Sequence, residues 1–289
     1  MTPAAAGSRP FSRRLLLGGT LAGVLVGAGC TTQRPPPPAT VQSLTAQRPF
    51  YVAHRGGGAD WPEMTGYAYQ QATRLPGLRA LEVSVCQTAD GVLVCSHDKT
   101  TERVTGVPYV IADETWATLS RLEVSARQTN DPGQPARPFT RFDEVVDAYA
   151  GRFVLFVEPK ESLAATKLMA KMVSLKQPER VVWKQPINSR LFAAAKQEGF
   201  ATWGYVFNER AHIGDNLTRY AASPDIDMVG APRAESDEFV STVVAAAQAN
   251  DKLTIMWEIR SPDDRDRALR LGCSGLMASD IAEVLGTPG

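Results

Sequence analysis

The chain has 289 residues, of which 44% are hydrophobic and 21% are charged, and this is the composition of an ordinary globular protein. Its 31 basic and 31 acidic residues leave no formal net charge. Because there is neither a basic excess nor an acidic tail, the composition argues against a nucleic-acid partner and against a solvating arm. The length suits one large α/β domain or two small ones.

Residues 1–29 are predicted to form an export signal that is not part of the fold. Arg13 and Arg14 precede an apolar run from Leu15 to Gly29, which is too short to span a bilayer comfortably as a permanent helix. A positive start, a short apolar middle and small residues at the end are typical of a signal peptide. The paired arginines resemble a twin-arginine signal.

The end of this segment resembles a bacterial lipobox. It reads Gly27-Ala28-Gly29-Cys30, with Gly27 where leucine is usual. The resemblance implies cleavage before Cys30 and attachment of lipid to its sulfur, so the mature protein would be held at a membrane surface outside the cytoplasm. A permanent N-terminal anchor and plain secretion are the alternatives.

Residues 30–47 are predicted to be a proline-rich tether, and residues 48–289 to be the folded domain. Four consecutive prolines, Pro35 to Pro38, favour an extended and semi-rigid spacer that cannot build a core. Such a spacer would hold the domain away from the membrane.

Within the predicted domain, short apolar runs alternate with helix-like segments. The runs are apolar through their middles, as expected for strands that are buried on both faces. Strands are predicted at residues 50–54, 79–85, 153–158, 180–184, 201–207, 227–230, 253–258 and 274–277. Helices are predicted between them at residues 65–75, 163–175, 189–198, 216–222, 236–249 and 262–271.

This alternation predicts the α/β class and a parallel sheet with right-handed crossovers. Eight such strands in about 240 residues match a closed (β/α)8 TIM barrel. A doubly wound open sheet is the rival fold, and it needs a glycine-rich first turn that opens a helix. Here Asp60-Trp61-Pro62 follows the first glycines before any helix, which disfavours the rival.

A hairpin interrupts the alternation after the second strand. Asp90-Gly91 is a strong signal for a two-residue turn. With these two residues as the loop, Cys86 faces Cys95 at a non-hydrogen-bonded pair, where side chains approach most closely. That geometry permits a disulfide outside the cytoplasm, and two free buried thiols are the alternative.

The residues that follow the hairpin, 99–151, are predicted to be an insertion over the barrel mouth. They contain a loop rich in proline and glycine at residues 130–135 and a predicted helix at residues 142–150. A functional lid is one interpretation of this segment.

Polar residues follow several of the predicted strands, and in a barrel the carboxyl ends of the strands form the active-site mouth. They are His54 and Arg55 after the first strand, Glu82 and Ser84 on the second, His97 and Asp98 after the hairpin strand, and Glu158 and Lys160 after the third. Two imidazoles, carboxylates and cations suit transfer at phosphorus, where cations stabilise charge and histidines move protons.

The order and spacing of these residues resemble those of glycerophosphodiester phosphodiesterases. The matching segments are His54-Arg55-Gly56, Pro62-Glu63-Met64-Thr65, Glu82-Val83-Ser84, Thr88-Ala89-Asp90-Gly91, His97-Asp98 and Glu158-Pro159-Lys160. Five or more ordered motifs are stronger than any single one. The resemblance implies a phosphoric diester hydrolase that releases an alcohol and sn-glycerol 3-phosphate from a small phosphodiester.

The resemblance also implies roles for individual residues. His54 and His97 would be the general acid and base, and Arg55 and Lys160 would bind the phosphate. The remaining roles concern a hard divalent cation, Ca²⁺ or Mg²⁺, bound through oxygen. Its ligands would be Glu82 and Glu158, with Glu63 and Ser84 as weak or outer participants.

Two positions depart from the family pattern. Ser84 stands where the pattern has a second metal-binding aspartate, and Met64 stands where asparagine is usual. A hydroxyl is a poorer ligand than a carboxylate, so the predicted metal affinity falls by roughly 10–100-fold. Two alternatives therefore remain: a non-catalytic barrel that binds phosphorylated ligands or a protein, and a phospholipase D-like relative that forms cyclic phosphates.

A few further residues are given weaker interpretations. Lys184 and Asp280 are predicted to be charges at the rim of the mouth, and His212 to be a surface residue. Trp257 is predicted either to stack on substrate or simply to pack against its neighbours.

Overall fold

The computed structural model of the chain describes residues 37–286. The predicted export signal, the lipobox at Cys30 and the first part of the tether lie outside these residues. No helix in the described range is long and apolar enough to cross a membrane.

Strands make up the centre of the molecule. In chain order they are β1 (Phe50–Ala53), β2 (Ala80–Gln87), β3 (Leu93–Cys95), β4 (Glu123–Val124), β5 (Arg137–Pro138), β6 (Val154–Pro159), β7 (Val181–Pro186), β8 (Ala201–Tyr205), β9 (Met228–Pro232), β10 (Leu253–Ile259) and β11 (Gly275–Ala278). Strands β1, β2 and β6 to β11 are parallel neighbours, and β1 pairs with both β2 and β11. These eight strands therefore close into a barrel, which confirms the predicted (β/α)8 fold.

Helices surround the barrel, and the short first helix packs at the end where the strands begin. In chain order they are α1 (Val41–Thr45), α2 (Gly66–Ala72), α3 (Glu102–Thr105), α4 (Trp116–Leu119), α5 (Phe142–Tyr149), α6 (Ser162–Ser174), α7 (Phe192–Gln197), α8 (Asp215–Ala221), α9 (Asp237–Gln248), α10 (Pro262–Arg270) and α11 (Ile281–Leu285). Every predicted strand lies within two residues of an observed one at both ends, because the apolar runs that bury both faces are local signals.

Alternate residues of each strand face the barrel interior and the helix layer. In β6, Val154 and Phe156 belong to the interior cluster of apolar side chains, whereas Leu155 and Val157 pack among the helices. The period of two that produces this alternation directs the next interior position, Glu158, into the barrel at its carboxyl end. The same rule positions the polar residues of β2, β7 and β8.

The interior is filled by large side chains that need small partners. Gly230 of β9 makes room for the indole of Trp203, because a Cβ at Gly230 would lie 2.6 Å from a ring carbon. Interiors of this kind are packed cores, and each fully buried large side chain contributes roughly 1.5–3 kcal/mol.

Residues 37–47, which were predicted to belong to the tether, pack against the end of the barrel where the strands begin. Ala39 and Leu44 are buried within the interior cluster, and the Ala39 N–H donates to the Arg152 carbonyl at 2.9 Å. Thr40 caps the short helix α1. The compact unit therefore begins before residue 48, because the open amino end of the barrel offers Leu44 an apolar site.

The hairpin between β2 and β3 differs from the prediction by one residue of register. Thr88 and Val92 close a three-residue loop in which Gly91 has φ +80°, and the strands then pair Cys86 with Val94 and Val85 with Cys95. A one-residue slip moves side chains to the opposite face. The predicted pairing of Cys86 with Cys95 is therefore wrong, and of the two alternatives for these residues the structure has the free, buried thiols.

The segment after the hairpin covers one side of the barrel mouth, as predicted. The Asn130 N–H donates to the Ala59 carbonyl at 2.7 Å, and the Gln134 amide donates to the Asp60 carbonyl at 2.8 Å. These bonds attach the insertion to the loop that follows β1. The last part of the segment, α5, contributes Phe142 to the core beneath the helices and is an element of the barrel itself.

Candidate active site

Four side chains that face the barrel interior form one cluster at the carboxyl ends of the strands. Glu82 and Ser84 come from β2, Glu158 from β6 and Lys184 from β7. We call these four residues the Lys184 cluster. All four are buried, with at most 6% of each residue exposed. Because Ser84 pairs with Glu158 in the sheet register, the two strands hold their side chains at the same height in the barrel.

The lysine ammonium lies between the two carboxylates. Lys184 Nζ is 2.7 Å from Glu82 Oε1 and 2.7 Å from Glu158 Oε2. The Ser84 hydroxyl is 3.0 and 3.1 Å from the same two oxygens and donates to one of them at a time. The predicted assignment of Lys184 to the rim is therefore wrong, because the residue lies inside the barrel.

The other two carboxylate oxygens also accept hydrogen bonds from the chain. The Arg55 N–H donates to Glu82 Oε2 at 2.7 Å. Glu158 Oε1 accepts from the Tyr205 hydroxyl at 2.7 Å and from Lys160 Nζ at 3.2 Å. Every carboxylate oxygen of the Lys184 cluster therefore has a donor that the chain itself supplies, as buried charges require.

Mutual stabilisation keeps Glu158 and Lys184 charged. Burial alone would raise the pKa of Glu158, but Lys184 and Lys160 outweigh burial and hold that pKa well below its usual value. Burial would likewise lower the pKa of Lys184, but Glu158 and Glu82 raise it instead. Within the cluster, Glu158 is therefore ionised and Lys184 is protonated.

His54 directly follows β1 and is held through a serine. The Ser279 hydroxyl donates to Glu258 Oε1 at 3.0 Å, so its oxygen accepts the hydrogen bond from His54 Nδ1 at 2.7 Å. This network assigns the proton of the neutral imidazole to Nδ1 and leaves Nε2 as an acceptor. Burial, together with Arg55 and Lys184, lowers the pKa of His54 well below its usual value.

His97 follows β3 and is held directly by a carboxylate. Its Nδ1 lies 2.8 Å from Asp98 Oδ1, and Asp98 also binds Arg103. Burial lowers the pKa of His97, and the hydrogen bond that its Nδ1–H donates to Asp98 opposes that effect. Of the two imidazoles, His97 is therefore the better placed to carry a positive charge.

The turn after β1 holds Arg55 in an unusual backbone conformation. Arg55 has φ +54°, in the left-handed region, which costs roughly 1–2 kcal/mol for a residue other than glycine. Its N–H is bound by Glu82, and its carbonyl accepts from the Met64 N–H at 2.9 Å. Such strain is found where function requires a fixed position.

Glu63 lies beside the turn and joins two arginines. Its carboxylate accepts from Arg55 Nη1 at 3.1 Å and from Arg103 Nη2 at 2.6 Å. Burial would raise the pKa of Glu63, but the two arginines lower it. The geometry thus agrees with a residue that orients Arg55, and it also links Arg55 to the Asp98–His97 pair through Arg103.

A cavity of ≈ 140 Å³ lies at this end of the barrel. Its lining residues are His54, Arg55, His97, Glu158, Lys160, Lys184, Tyr205, Phe207 and Trp257. The predicted acid/base pair and the predicted phosphate-binding pair therefore meet at one cavity. Glu82 and Glu63 lie behind it, where each binds Arg55.

Three aromatic side chains form an apolar wall of the cavity. Trp257 lies edge-on to Tyr205 and to Phe207, with ring centroids 5.5 and 5.4 Å apart. His212 stacks on Phe207 at 5.9 Å and accepts from its N–H at 3.0 Å. His212 is only 1% exposed, so the prediction that it is a surface residue is wrong.

A larger cavity of ≈ 400 Å³ lies at the opposite end, between α1 and the start of β8. Its charged lining includes Lys196 and Asp227, which are already paired at 2.8 Å. No histidine lines it. Because barrel enzymes react at the carboxyl ends of their strands, the smaller cavity is the candidate active site.

Residues 54–283 match the model of the glycerophosphoryl diester phosphodiesterase family. The chain belongs to this family. The match begins at His54, the first polar residue of the site, and covers the whole barrel from there. It confirms the family that the strand-end motifs predicted.

Individual relatives resemble the chain over shorter stretches. A Mycobacterium tuberculosis protein named probable glycerophosphodiester phosphodiesterase 1 is 41% identical over 83 residues, which are 29% of this chain and 30% of that protein. A human glycerophosphodiester phosphodiesterase 1 is 32% identical over 124 residues, 42% of this chain and 37% of its own length. The alignments therefore span about a third of the curated relatives.

Solved structures of the family share the fold over most of their length. The glycerophosphodiester phosphodiesterase of Thermotoga maritima superposes with a TM-score of 0.65 at 19% identity, covering 80% of this chain and 94% of its own. A phosphodiesterase of Oleispira antarctica, solved with its product sn-glycerol-3-phosphate, has a TM-score of 0.63 at 18% identity, covering 82% and 95%.

Enzymes of this family generally depend on a divalent metal ion, and the donor set of this chain does not fit one. Glu82 and Glu158 are the expected carboxylate ligands, but the Lys184 ammonium occupies the space between them. Within residues 37–286 there is no group of three or more histidine, cysteine, aspartate or glutamate side chains that could hold a metal. The two predicted metal ligands, Glu82 and Glu158, are thus paired with the ammonium of Lys184 in this structure.

Sequence reasoning missed the role of Lys184, although a signal for it existed. Val182 is an interior residue of the same strand, so a period of two places Lys184 on the same face one step nearer the mouth. A lysine that faces a barrel interior requires a buried anion. The two predicted carboxylates of β2 and β6 were the available partners.

Proposed function

We propose that this chain is a phosphoric diester hydrolase that cleaves glycerophosphodiesters into an alcohol and sn-glycerol 3-phosphate. The observation that carries the proposal is that His54, His97, Arg55 and Lys160 line one cavity at the carboxyl ends of the strands. Membership of the family supports the reaction class. The product bound to the Oleispira antarctica relative supports the glycerophosphate moiety as the recognised group.

Phosphate binding follows from the charges of the lining. Arg55 presents a planar guanidinium that Glu63 holds at 3.1 Å, and Lys160 presents an ammonium beside Glu158. Both cations line the cavity. They would neutralise the non-bridging oxygens of the phosphodiester and stabilise the charge that builds up during attack at phosphorus.

Proton transfer follows from the two imidazoles. His54 Nε2 is the acceptor of a neutral ring, so it takes the proton of the attacking hydroxyl as that oxygen bonds to phosphorus. His97, supported by Asp98, gives its proton to the alkoxide as the bond from phosphorus to the alcohol breaks. Exchange with water returns both rings to their starting states.

The attacking hydroxyl has two sources, water or a neighbouring glycerol hydroxyl. Attack by water gives sn-glycerol 3-phosphate in one step. Attack by the glycerol hydroxyl first gives a cyclic phosphate, and water then opens it by the same two proton transfers in the reverse direction.

Phosphorus NMR tests this function. The purified chain is incubated with glycerophosphocholine, and we expect the diester signal to be replaced by that of glycerol 3-phosphate. A cyclic phosphate that accumulates as the end product would contradict hydrolysis and favour the phospholipase D-like alternative. An unchanged substrate signal, with and without added Ca²⁺ or Mg²⁺, would favour the non-catalytic barrel.

We also propose that the mature chain acts outside the cytoplasm as a membrane-attached lipoprotein. The support is the sequence of residues 1–30, in which Arg13 and Arg14 precede an apolar run that ends at Cys30. A lipid on Cys30 would keep the enzyme near phospholipid-derived substrates. Fractionation and labelling with radioactive palmitate should find the wild type in membranes and labelled, and Cys30→Ser unlabelled. Equal labelling of both would contradict the proposal.

A further inference from the structure

We propose that the Lys184 ammonium takes the place of a divalent metal ion in this active site, so that the enzyme cleaves its substrate without a resident metal. The proposal deepens the phosphodiesterase function and rests on it. Three observations support it: the position of the ammonium between two carboxylates, the hydrogen bonds that every oxygen of those carboxylates already accepts, and the aromatic rings beside the ammonium.

The position of the ammonium excludes a cation between the same carboxylates. Lys184 Nζ is 2.7 Å from an oxygen of Glu82 and 2.7 Å from an oxygen of Glu158. Ca²⁺ or Mg²⁺ bound by these oxygens would lie about 2.0–2.6 Å from them and would overlap with the ammonium and be repelled by it. The lysine and the metal are therefore mutually exclusive.

The position of Lys184 in the barrel restricts movement of its side chain out of the cluster. It faces the barrel interior from strand β7, which pairs with β6 on one side and β8 on the other, and its side chain is only 7% exposed. Leaving the cluster would remove the only cation that contacts both carboxylates among residues 37–286. Moving the ammonium away would leave both buried carboxylates without their shared cation, which is strongly unfavourable.

The surroundings suit an ammonium better than a divalent ion. Ca²⁺ needs 6–8 oxygen ligands and Mg²⁺ needs six, whereas Ser84 offers a hydroxyl where the family pattern has a carboxylate. Lys184 Nζ also lies 5.8 Å from the centre of the Trp203 ring and 5.5 Å from that of Tyr205. Aromatic faces attract an ammonium and offer no ligand to a hard metal ion.

The two substitutions compensate in charge. Serine in place of an aspartate removes one negative charge, and an ammonium in place of a divalent ion removes one positive charge. The net charge around the phosphate site is therefore the same in both arrangements. This balance explains how a chain that lacks a metal-binding carboxylate at position 84 can hold Glu82 and Glu158 together inside the barrel without a metal ion.

The ammonium is also placed to contact the substrate directly. It carries three N–H donors, and the contacts with Glu82 and Glu158 use two. Lys184 lines the cavity together with Arg55 and Lys160. The third donor can therefore bind a phosphate oxygen, which is the electrostatic role that a metal ion has in such sites.

The first experiment measures metal binding and activity of the wild-type chain. After treatment with EDTA and dialysis into metal-free buffer, we expect hydrolysis of glycerophosphocholine to remain within about 2-fold of its initial rate. Calorimetric titration with CaCl₂ or MgCl₂ should show no binding at one site. Loss of activity that Ca²⁺ or Mg²⁺ restores, or one-site binding of either ion, would overturn the proposal.

The second experiment rebuilds a metal site. The double variant Ser84→Asp/Lys184→Ala supplies the missing carboxylate and removes the ammonium, so we expect it to bind Ca²⁺ in the same titration. Its melting temperature should rise with added Ca²⁺ while that of the wild type does not change. A double variant that is folded by circular dichroism and shows no binding would count against the proposal.

A matched control separates this effect from the general loss of a lysine. Lys196→Met removes another ion-paired lysine, at the other end of the barrel, and should leave activity in EDTA unchanged. If no chain hydrolyses any diester, the proposed function fails, but the titrations still decide the inference. Binding to the double variant and not to the wild type supports it, and binding to the wild type overturns it.

Discussion

The two ends of the barrel are built by the same alternation of strand residues and filled with opposite kinds of side chain. At the amino end, Ala39 and Leu44 complete an apolar core. At the carboxyl end, the strand positions that face the interior hold Glu82, Glu158 and Lys184. Burial at the amino end is favourable residue by residue, whereas burial at the mouth is tolerated only because each charge has a partner.

The largest effect is expected from unpairing the charges at the mouth. Lys184→Met leaves two buried carboxylates facing each other, so we expect it to lower the free energy of unfolding by about 3–5 kcal/mol. Lys196→Met, at the amino end, removes a partly exposed lysine from its pair with Asp227 and should cost less than about 1 kcal/mol. Urea denaturation measures both, and similar losses would contradict the contrast.

Removing a proton-transfer group should affect rate without affecting the fold. We expect His97→Gln to lower kcat by roughly 10²–10⁴-fold, because general acid catalysis contributes that much. Its melting temperature should stay close to that of the wild type, since the side chain is 30% exposed and pairs only with Asp98. An unchanged kcat would remove His97 from the mechanism.

The apolar end should show the reverse behaviour. Leu44→Ala removes a side chain that is 2% exposed, and we expect a loss of about 2–4 kcal/mol in unfolding free energy with little change in kcat/KM. Leu163→Ala is the matched control, because that leucine is 66% exposed and should cost little. A large drop in kcat/KM for Leu44→Ala would mean that the two ends are coupled.

A smaller effect concerns a pair of carboxyl groups at the edge of the mouth. Burial and a hydrogen bond that the protonated carboxyl donates to Asp280 raise the pKa of Asp60 to about 7, although the backbone N–H of Ala282 opposes this. Because the folded pKa exceeds the unfolded one of 3.8, the protonated group stabilises the fold below about pH 4. That contribution is lost as pH rises through about 7.

We therefore expect Asp60 to contribute a fall of the unfolding free energy between about pH 4 and pH 7, by on the order of 1–3 kcal/mol, against the opposite contribution of His54 and His97, whose pKa values burial lowers. Asp60→Asn should remove this contribution, so that its stability relative to the wild type increases from pH 4 to pH 7, and Asp147→Asn, at an exposed position of α5, should show no such change. Chemical denaturation at several pH values measures the slope. An equally steep profile for Asp60→Asn would show that other groups cause it.

Local sequence patterns were sufficient to predict most of the fold and the histidine and arginine side chains of the site. The eight barrel strands, the insertion and the polar residues at strand ends could be predicted because each depends on residues close in the chain. His54 and Arg55 follow β1 directly, and His97 follows β3 directly. The structure then placed all three at one cavity.

Other features could not be predicted from composition and spacing alone. The predicted hairpin register was wrong because the Thr88 hydroxyl oxygen accepts from the Val92 N–H at 2.8 Å, a specific local contact that closes a loop one residue longer than expected. Residues 37–47 were assigned to the tether because their composition does not reveal the open barrel end that receives Leu44.

The amino-acid sequence by itself determined the order of the strands, the family and the two histidines, because periodic burial and strand-end chemistry are encoded locally. Only the tertiary structure decided that Lys184 lies between Glu82 and Glu158, 102 and 26 residues away in the chain. The alternation of residues along a strand determines which face of the strand a side chain occupies. Closure of the barrel sets which charges meet on that face and how deeply they are buried, and in this chain it brings an ammonium to the position where a metal was expected.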